Sequence, residues 1–203
     1  MSKRNITLML LLISIVAHAQ KFKDEKGDLS VLSGQTEVNI EFTYNNLRLM
    51  KENLTEEEYI ADRIQYLNKK RQNEGDYWVK SWKVAKESIW EPNFLKLLDH
   101  TITEERGIAF KQPSDASRKY TLIVDAVWIY PGWDAGIMKQ PAKVTTTLKI
   151  VETQNKNNVL YEVKAIDAPG DQWGSNFNDE SRIGEGFEKT AKSFGKLMIK
   201  KVK

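Results

Sequence analysis

The chain has 203 residues, no cysteine and a nearly balanced charge, with 31 basic against 28 acidic side chains. Without cysteine there is no disulfide to restrain the unfolded chain, so the fold depends on its hydrophobic core alone. The charge balance argues against a nucleic-acid-binding protein, which usually carries a clustered basic excess.

The first residues have the pattern of a secretory signal peptide. An apolar run follows Lys3 and Arg4, and Ala17-His18-Ala19 has the small-x-small form that signal peptidase needs. The run is shorter than the roughly 20 residues that cross a bilayer. We therefore expect residues 1–19 to be removed by cleavage after Ala19. The mature protein is then expected to be periplasmic or secreted, in the envelope of a Gram-negative bacterium.

The chain after the signal is predicted to be one domain. Cleavage leaves 29 basic side chains against 28 acidic ones. The first mature residue is Gln20 rather than a lipid-bearing cysteine, and no later segment is apolar enough to span a membrane. We expect residues 20–203 to form a single α+β domain, with 20–36 as an ordered or half-ordered lead-in.

The first half of the domain is predicted to be a strand followed by helices. Polar and apolar side chains alternate over 37–44, which is typical of a strand with one buried face. Thr55 and Glu58 form a capping-box pattern that begins a helix, which Gly75 is expected to close. A second helix over about 76–90 and a third that ends at Gly107 follow, and Pro92 either separates these two helices or kinks one.

The second half is predicted to be mainly strand. A short strand is expected over 108–110, and long strands over 120–130, 142–153 and 159–168. The first long strand is apolar on both faces, which indicates an interior strand covered on both sides. A closing helix over 181–201 buries one apolar stripe. The fold class is α+β, with a largely antiparallel four- to five-stranded sheet packed with three to four helices in a single two-layer domain.

No catalytic or metal motif stands out. His100 is the only histidine beyond the signal, so two-histidine metal sites and histidine-bridged catalytic pairs are excluded. We expect His100 to be a surface helix residue. We also expect no cofactor and no metal.

Two loops form the candidate binding site. If the three long strands form an antiparallel meander, the loop after 120–130 and the loop after 159–168 leave the same end of the sheet. Each combines Pro-Gly, an acidic residue and a tryptophan, which together suit sugar rings or peptides. The alternative is that both tryptophans fold back to close the core. The candidate residues are Tyr130, Trp133, Asp134, Asp171 and Trp173.

Several segments resemble a family of uncharacterised secreted proteins from Bacteroidota. The segments that carry the resemblance are Gly27-Asp28-Leu29-Ser30, 37–42, 120–124, Tyr130-Pro131-Gly132-Trp133, Ala168-Pro169-Gly170 and Arg182-Ile183. More distantly, the chain is similar to small envelope lipoprotein domains such as the N-terminal domain of the Tol-Pal propeller protein and the curli secretion lipoprotein. This chain lacks their lipid-bearing cysteine. The resemblance implies an envelope compartment and an α+β fold, and it assigns no activity to any residue.

The function expected from the sequence is non-catalytic binding or assembly in the cell envelope. The partner is expected to be an envelope glycan, a peptide or another protein, and not a nucleic acid. Two alternatives stay open, a hydrolase that acts on glycan and a structural subunit of an envelope complex.

Overall fold

The structure is a computed structural model that describes residues 21–135, 138–170 and 178–203. The elements are, in chain order, β1 (Lys21–Gly27), a 3-10 turn (Leu29–Leu32), β2 (Glu37–Thr43), β3 (Arg48–Leu49), α1 (Glu56–Lys70), α2 (Glu74–Ala85), a π turn (Lys86–Trp90), α3 (Glu91–Arg106), β4 (Ala109–Lys111), β5 (Tyr120–Tyr130), β6 (Trp133–Asp134), β7 (Lys139–Gln140), β8 (Ala142–Glu152), β9 (Asn155–Gly170) and α4 (Asp179–Lys201). The signal-peptide prediction, residues 1–19, lies outside the described residues.

A seven-stranded mixed sheet forms the framework, and it corrects the expected sheet of four to five largely antiparallel strands. The strand order is β1-β9-β8-β5-β2-β4, and β3 also pairs with β5. The pairs among β1, β9, β8 and β5 are antiparallel, whereas β2 runs parallel to β4 and β5, and β3 runs parallel to β5. The overall class is α+β.

The extra strands β1 and β3 could not be predicted from the sequence, for physical reasons. In β1 the only apolar side chain is Phe22, so the strand has no alternating pattern, and its edge carries lysines and an irregular register near Asp24. The strand β3 has only two residues, too few for a pattern, whereas the short strand predicted over 108–110 corresponds to β4. The parallel pairs arise because three helices lie between β2 and β5, and such a long crossover returns the chain in the same direction.

The capping and packing of the helices largely follow the sequence. The capping box at Thr55 and Glu58 forms in both directions, and Gly107 ends α3 with a left-handed φ of 68°. The five apolar residues predicted to be buried in α4 are all inaccessible to solvent, namely Ile183, Phe187, Ala191, Phe194 and Met198.

Two details of the helices differ from expectation. The helix α1 already ends at Lys70, and Gly75 lies in the first turn of α2, where its N–H donates to Asn68 Oδ1 at 2.8 Å. A π turn then carries the chain from α2 into α3 without an extended break, with Pro92 in the first turn of α3. Pro92 is tolerated there because the first turn of a helix has no partner for its N–H.

The helices pack on one face of the sheet, and this corrects the expectation that β5 is covered on both sides. The core face of β5 is fully buried at Leu122, Val124 and Ala126, whereas Ile123 and Val127 are only half-buried. The second face instead carries polar side chains from neighbouring strands. Among the described residues no helix is long and apolar enough to cross a membrane.

Candidate functional site

Two β-bulges flank Thr145 on the open face of the sheet, which is the face opposite the helices. In β5, Ala126 pairs with Thr146 and Trp128 with Thr145, which leaves Val127 as an extra residue. In β9 the register with β8 also slips beside Thr145. Asp167 lies in this second bulge and has a left-handed φ of 53°. Bulges re-aim side chains and are over-represented next to binding sites, and a non-glycine residue with positive φ is uncommon.

The bulge in β5 brings two aromatic rings together at the end of the strand. The rings of Trp128 and Tyr130 stack with centroids 6.5 Å apart and an interplanar angle of 14°. The indole Nε1 of Trp128 donates to the carbonyl of Met50 at 2.8 Å, which fixes the ring against the segment after β3. The Tyr130 ring is buried and the Trp128 ring is half-buried, and Trp128 pairs with Thr145 across the two strands.

A short hairpin, β6–β7, adds a third aromatic ring. Trp133 pairs with Gln140 across the hairpin, and its side chain is 41% exposed. Trp133 Nε1 and the Tyr130 hydroxyl both donate to Gln140 Oε1 at 3.2 Å. Gln140 therefore holds the exposed ring and the buried ring in one arrangement.

Polar side chains border the aromatic rings on the same face. Lys143 and Thr145 are the β8 partners of Tyr130 and Trp128. Asp167 faces both: Lys143 Nζ lies 3.5 Å from its Oδ2, and its backbone N–H donates to Thr145 Oγ1 at 3.1 Å. We call this surface the aromatic end of the sheet. Its members are Trp128, Tyr130, Trp133, Gln140, Lys143, Thr145 and Asp167.

The loop that leads to Trp133 is fixed from the helix layer. Arg182 in α4 donates from Nε to the carbonyl of Pro131 at 3.2 Å, and its Nη2 lies 3.5 Å from the carbonyl of Gly132. Gly132 has a φ of 71°, and a Cβ there would lie 2.4 Å from the carbonyl oxygen of Gln140. Only glycine fits this turn, so the position of Trp133 is set by backbone geometry as well as by Arg182.

The start of α4 carries a second cluster of charged groups, and these are buried. Arg182 Nη2 donates to Asp179 Oδ1 at 2.5 Å, and Arg63 of α1 donates to Asp179 Oδ2 at 2.9 Å. Asp179, Glu180 and Arg182 are each no more than 5% exposed. Burial raises the pKa of the Glu180 carboxyl, and the neighbouring Asp179 adds to the rise.

The structure brings together part of the predicted site. Tyr130 and Trp133 meet through Gln140, and Asp134 lies beside them in β6 opposite Lys139. Asp171 and Trp173 lie outside the described residues, so the groove shared by Trp133 and Trp173 stays a prediction. Because Trp133 is well exposed, it does not close the core.

Three other members of this surface, Trp128, Gln140 and Asp167, could not be recognised from the sequence pattern alone. Asp167 and Trp128 lie in predicted strands, but the bulges that aim them have no signature in an alternating pattern. Gln140 lies in a two-residue strand that no pattern could indicate. The spacing of Trp128 and Tyr130, two residues apart in a strand, is the one signal that places both rings on the same face.

The described residues contain no group of three or more His, Asp or Glu side chains arranged to hold a metal ion. His100 is exposed on α3, with its Nδ1 3.7 Å from Glu104 Oε1.

Comparisons with known proteins do not identify a family. No protein-family model matches the chain, and no curated protein matches it. Among solved structures, the PelC dodecamer from Paraburkholderia phytofirmans has a TM-score of 0.41 at 9% identity, covering 91% of this chain and 99% of that one. A structure described as a neuraminyllactose-binding hemagglutinin homolog from Helicobacter pylori has a TM-score of 0.31 at 12% identity, covering 84% and 89%. Both scores are too low to carry a conclusion, and the resemblance to secreted Bacteroidota proteins stays a prediction.

Proposed function

We propose that the protein is an exported, non-catalytic carbohydrate-binding module of the cell envelope, and that it binds through the aromatic end of the sheet. The observation that carries the proposal is that Gln140 joins Trp133 to Tyr130, whose ring stacks with that of Trp128. Aromatic rings cover the apolar C–H faces of sugars, while amide, hydroxyl and charged groups bind the hydroxyls. The signal-peptide pattern supports export.

The polar groups at this surface favour a carbohydrate over a peptide. Lys143 is a donor, Asp167 is an acceptor, and Thr145 is both. This mixture suits hydroxyl groups, which also donate and accept. A peptide that adds to a sheet needs a free, regular edge strand. Here one edge is the three-residue β4, and the other, β1, carries lysines and an irregular register.

The shape of the surface favours an extended polymer over a single sugar. Beyond the rings, the open face continues as polar rows that cross several strands. Thr43 donates to Asp125 at 2.8 Å, and Lys149 lies 3.5 Å from Glu162. A chain of sugars bound at Trp133 would extend along these groups. An envelope polysaccharide is therefore the class of ligand that we propose.

Thermal unfolding in the presence of purified envelope polysaccharides tests this function. A ligand that binds only the folded state stabilises it by RT ln(1 + [L]/Kd), so the proposal predicts a saturable rise in Tm with at least one polysaccharide. The same mixtures are assayed for new reducing ends. Turnover of the polysaccharide would establish a hydrolase instead. No rise in Tm, together with purification in fixed ratio with one protein partner, would establish a structural subunit.

A further inference from the structure

Two lysines lie directly opposite each other on β1 and β9. In the antiparallel pairing of these strands, Lys23 is the partner of Lys164. Directly opposed side chains share a face of the sheet, with Cβ atoms about 4.5–5.5 Å apart, and like charges in this position destabilise the pair. The free protein therefore holds two positive charges close together that repel each other.

Both lysines point to the open face of the sheet. Phe22 packs against the core, and successive side chains of a strand alternate between the two faces, so Lys21 and Lys23 lie on the opposite side from Phe22. In β9 the residues on either side of Lys164 are fully buried in the core, which places Lys164 on the open face as well. We call Lys21, Lys23 and Lys164 the lysine corner.

The carboxylates of β9 on this face are paired with other lysines. Glu162 Oε2 lies 3.5 Å from Lys149 Nζ, and Asp167 Oδ2 lies 3.5 Å from Lys143 Nζ. Both partners are on β8, on the side of β9 away from β1. These two carboxylates are therefore engaged away from the lysine corner.

The other carboxylates of the chain form no ion pair with the corner among the residues that the structure describes. Glu25 of β1 pairs with Lys201 of α4, and Asp24 lies at the register shift of β1 with a φ of 55°. The only acidic residue outside the described ranges is Asp171. It follows the last residue of β9, which lies roughly 20 Å along the strand from Lys164.

Protection of the sheet edge does not account for the whole corner. Lysines on an edge strand discourage pairing with other chains, and this explains Lys21 and Lys23 of β1. Lys164 is on β9, which is paired on both sides, and its side chain is half-buried. A charge there contributes nothing to edge protection, so its place opposite Lys23 favours a role in binding an anion.

The lysine corner adjoins the aromatic end of the sheet. Lys21 is the partner of Ile166, which lies in the bulge opposite Thr145. Thr145 is in turn the partner of Trp128. These four residues form one row across four strands, about 14 Å long at a strand spacing of about 4.8 Å. A sugar chain bound at the aromatic rings can therefore reach the lysines.

We infer that the lysine corner binds the carboxylate of an acidic sugar, so that the polysaccharide bound at the aromatic end carries uronic acid residues. A carboxylate between Lys23 and Lys164 accepts a charge-assisted hydrogen bond from each ammonium group and offsets their repulsion. The inference deepens the proposed function by naming the class of sugar. It rests on that function for the binding of the rest of the sugar chain.

Isothermal titration calorimetry with three acidic polysaccharides tests the inference. The probes are polygalacturonate, alginate and hyaluronan, each compared with the same polymer after its carboxyl groups have been reduced to primary alcohols. We expect at least one acidic polymer to bind about tenfold or more tightly than its reduced form. Added salt should weaken the binding of the acidic form more than that of the reduced form, because it screens the charges.

Two lysine variants make the result specific. Lys164→Gln keeps much of the side chain but removes the charge opposite Lys23, so the free protein should be at least as stable as the parent. It should weaken binding of the acidic polymer about fivefold or more and leave binding of the reduced polymer unchanged. Lys192→Gln is the matched control, because it removes an exposed lysine of α4 in the helix layer, and it should bind as the parent does.

The outcomes separate this inference from the proposed function. Equal affinity for acidic and reduced polymers, with Trp133→Ala weakening both, would overturn the inference and leave the aromatic end in place. Binding of the acidic polymer that is weakened in Lys164→Gln but unchanged in Trp133→Ala would support the lysine corner and contradict binding at the aromatic end.

Two further results would overturn the inference. One is equal weakening by Lys164→Gln and Lys192→Gln, which would mean that only the total charge of the protein attracts the polymer. The other is the absence of saturable binding by all three acidic polymers.

Discussion

The carboxylate of Asp179 bonds to Arg182 through one oxygen while its other oxygen binds Arg63 of α1. Arg182 in turn binds the backbone carbonyl of Pro131, in the loop that leads to Trp133. One carboxylate thus connects the helix layer to the candidate binding surface. The ion pair between Arg182 and Asp179 is buried on both sides, so it differs from an exposed pair, which contributes little.

Replacing Asp179 with asparagine should strongly destabilise the protein. The change keeps the shape of the side chain but removes the buried negative charge with which both Arg182 and Arg63 form ion pairs. We expect a loss of about 3–5 kcal/mol in the free energy of unfolding, measured with urea. The exposed pair of Arg71 and Glu74 provides the control, because Glu74→Gln should change stability by no more than about 0.5 kcal/mol. Similar effects of the two variants would mean that Asp179 does not hold this junction.

Gly170 marks a close approach between the end of β9 and the start of α4. A Cβ at this position would lie 1.7 Å from the backbone oxygen of Arg182, a contact that only movement of the backbone could relieve. We therefore expect Gly170→Ala to lower the free energy of unfolding by about 3 kcal/mol or more.

Gly34 is the matched control for Gly170. Gly34 has a φ of 75° but nothing within 4 Å of an added Cβ, so Gly34→Ala should cost only about 1–2 kcal/mol through its backbone conformation. The two variants are compared in one urea series. A Gly170→Ala protein that is no less stable than Gly34→Ala would show that α4 does not pack this closely on the sheet.

The buried Glu180 carboxyl should make stability depend on pH in a defined direction. Burial raises its pKa in the folded state above the ordinary value of 4.5, so the folded protein keeps the proton more tightly than the unfolded chain does. As pH rises above that value, this group therefore lowers stability, and Glu180→Gln removes the loss. We expect the stability of the variant relative to the parent to be higher at about pH 7 than at about pH 4.

That comparison cancels the opposite contribution of other carboxyl groups. Glu25, for example, has a lowered pKa because it accepts hydrogen bonds from Lys201 and Tyr161, and it is present in both proteins. A difference between parent and variant that does not change with pH would contradict the raised pKa of Glu180.

The sequence pattern predicted the elements whose structure is determined by residues close together in the chain. The capping box of α1 and the boundaries of β5 follow from neighbouring residues, and the structure confirms them. The size of the sheet could not be predicted, because β1 gains its strand structure only by pairing with β9. Only some members of the aromatic end of the sheet were predicted from the sequence. Trp133 stands out by composition, whereas Asp167 is aimed by a bulge that depends on the register of three strands.

The most direct test of the proposed function compares Trp133→Ala with Tyr77→Ala for affinity to one envelope polysaccharide. Both parent side chains are exposed aromatic rings, 41% and 68% accessible, and they lie on the hairpin and on α2 respectively. The affinities are measured by isothermal titration calorimetry, on variants whose Tm equals that of the parent. Trp133→Ala should lose about 1–3 kcal/mol of binding free energy, which is roughly tenfold or more in Kd. Tyr77→Ala should bind as tightly as the parent. Equal affinity for the parent and Trp133→Ala would contradict the assignment of carbohydrate binding to the aromatic end of the sheet.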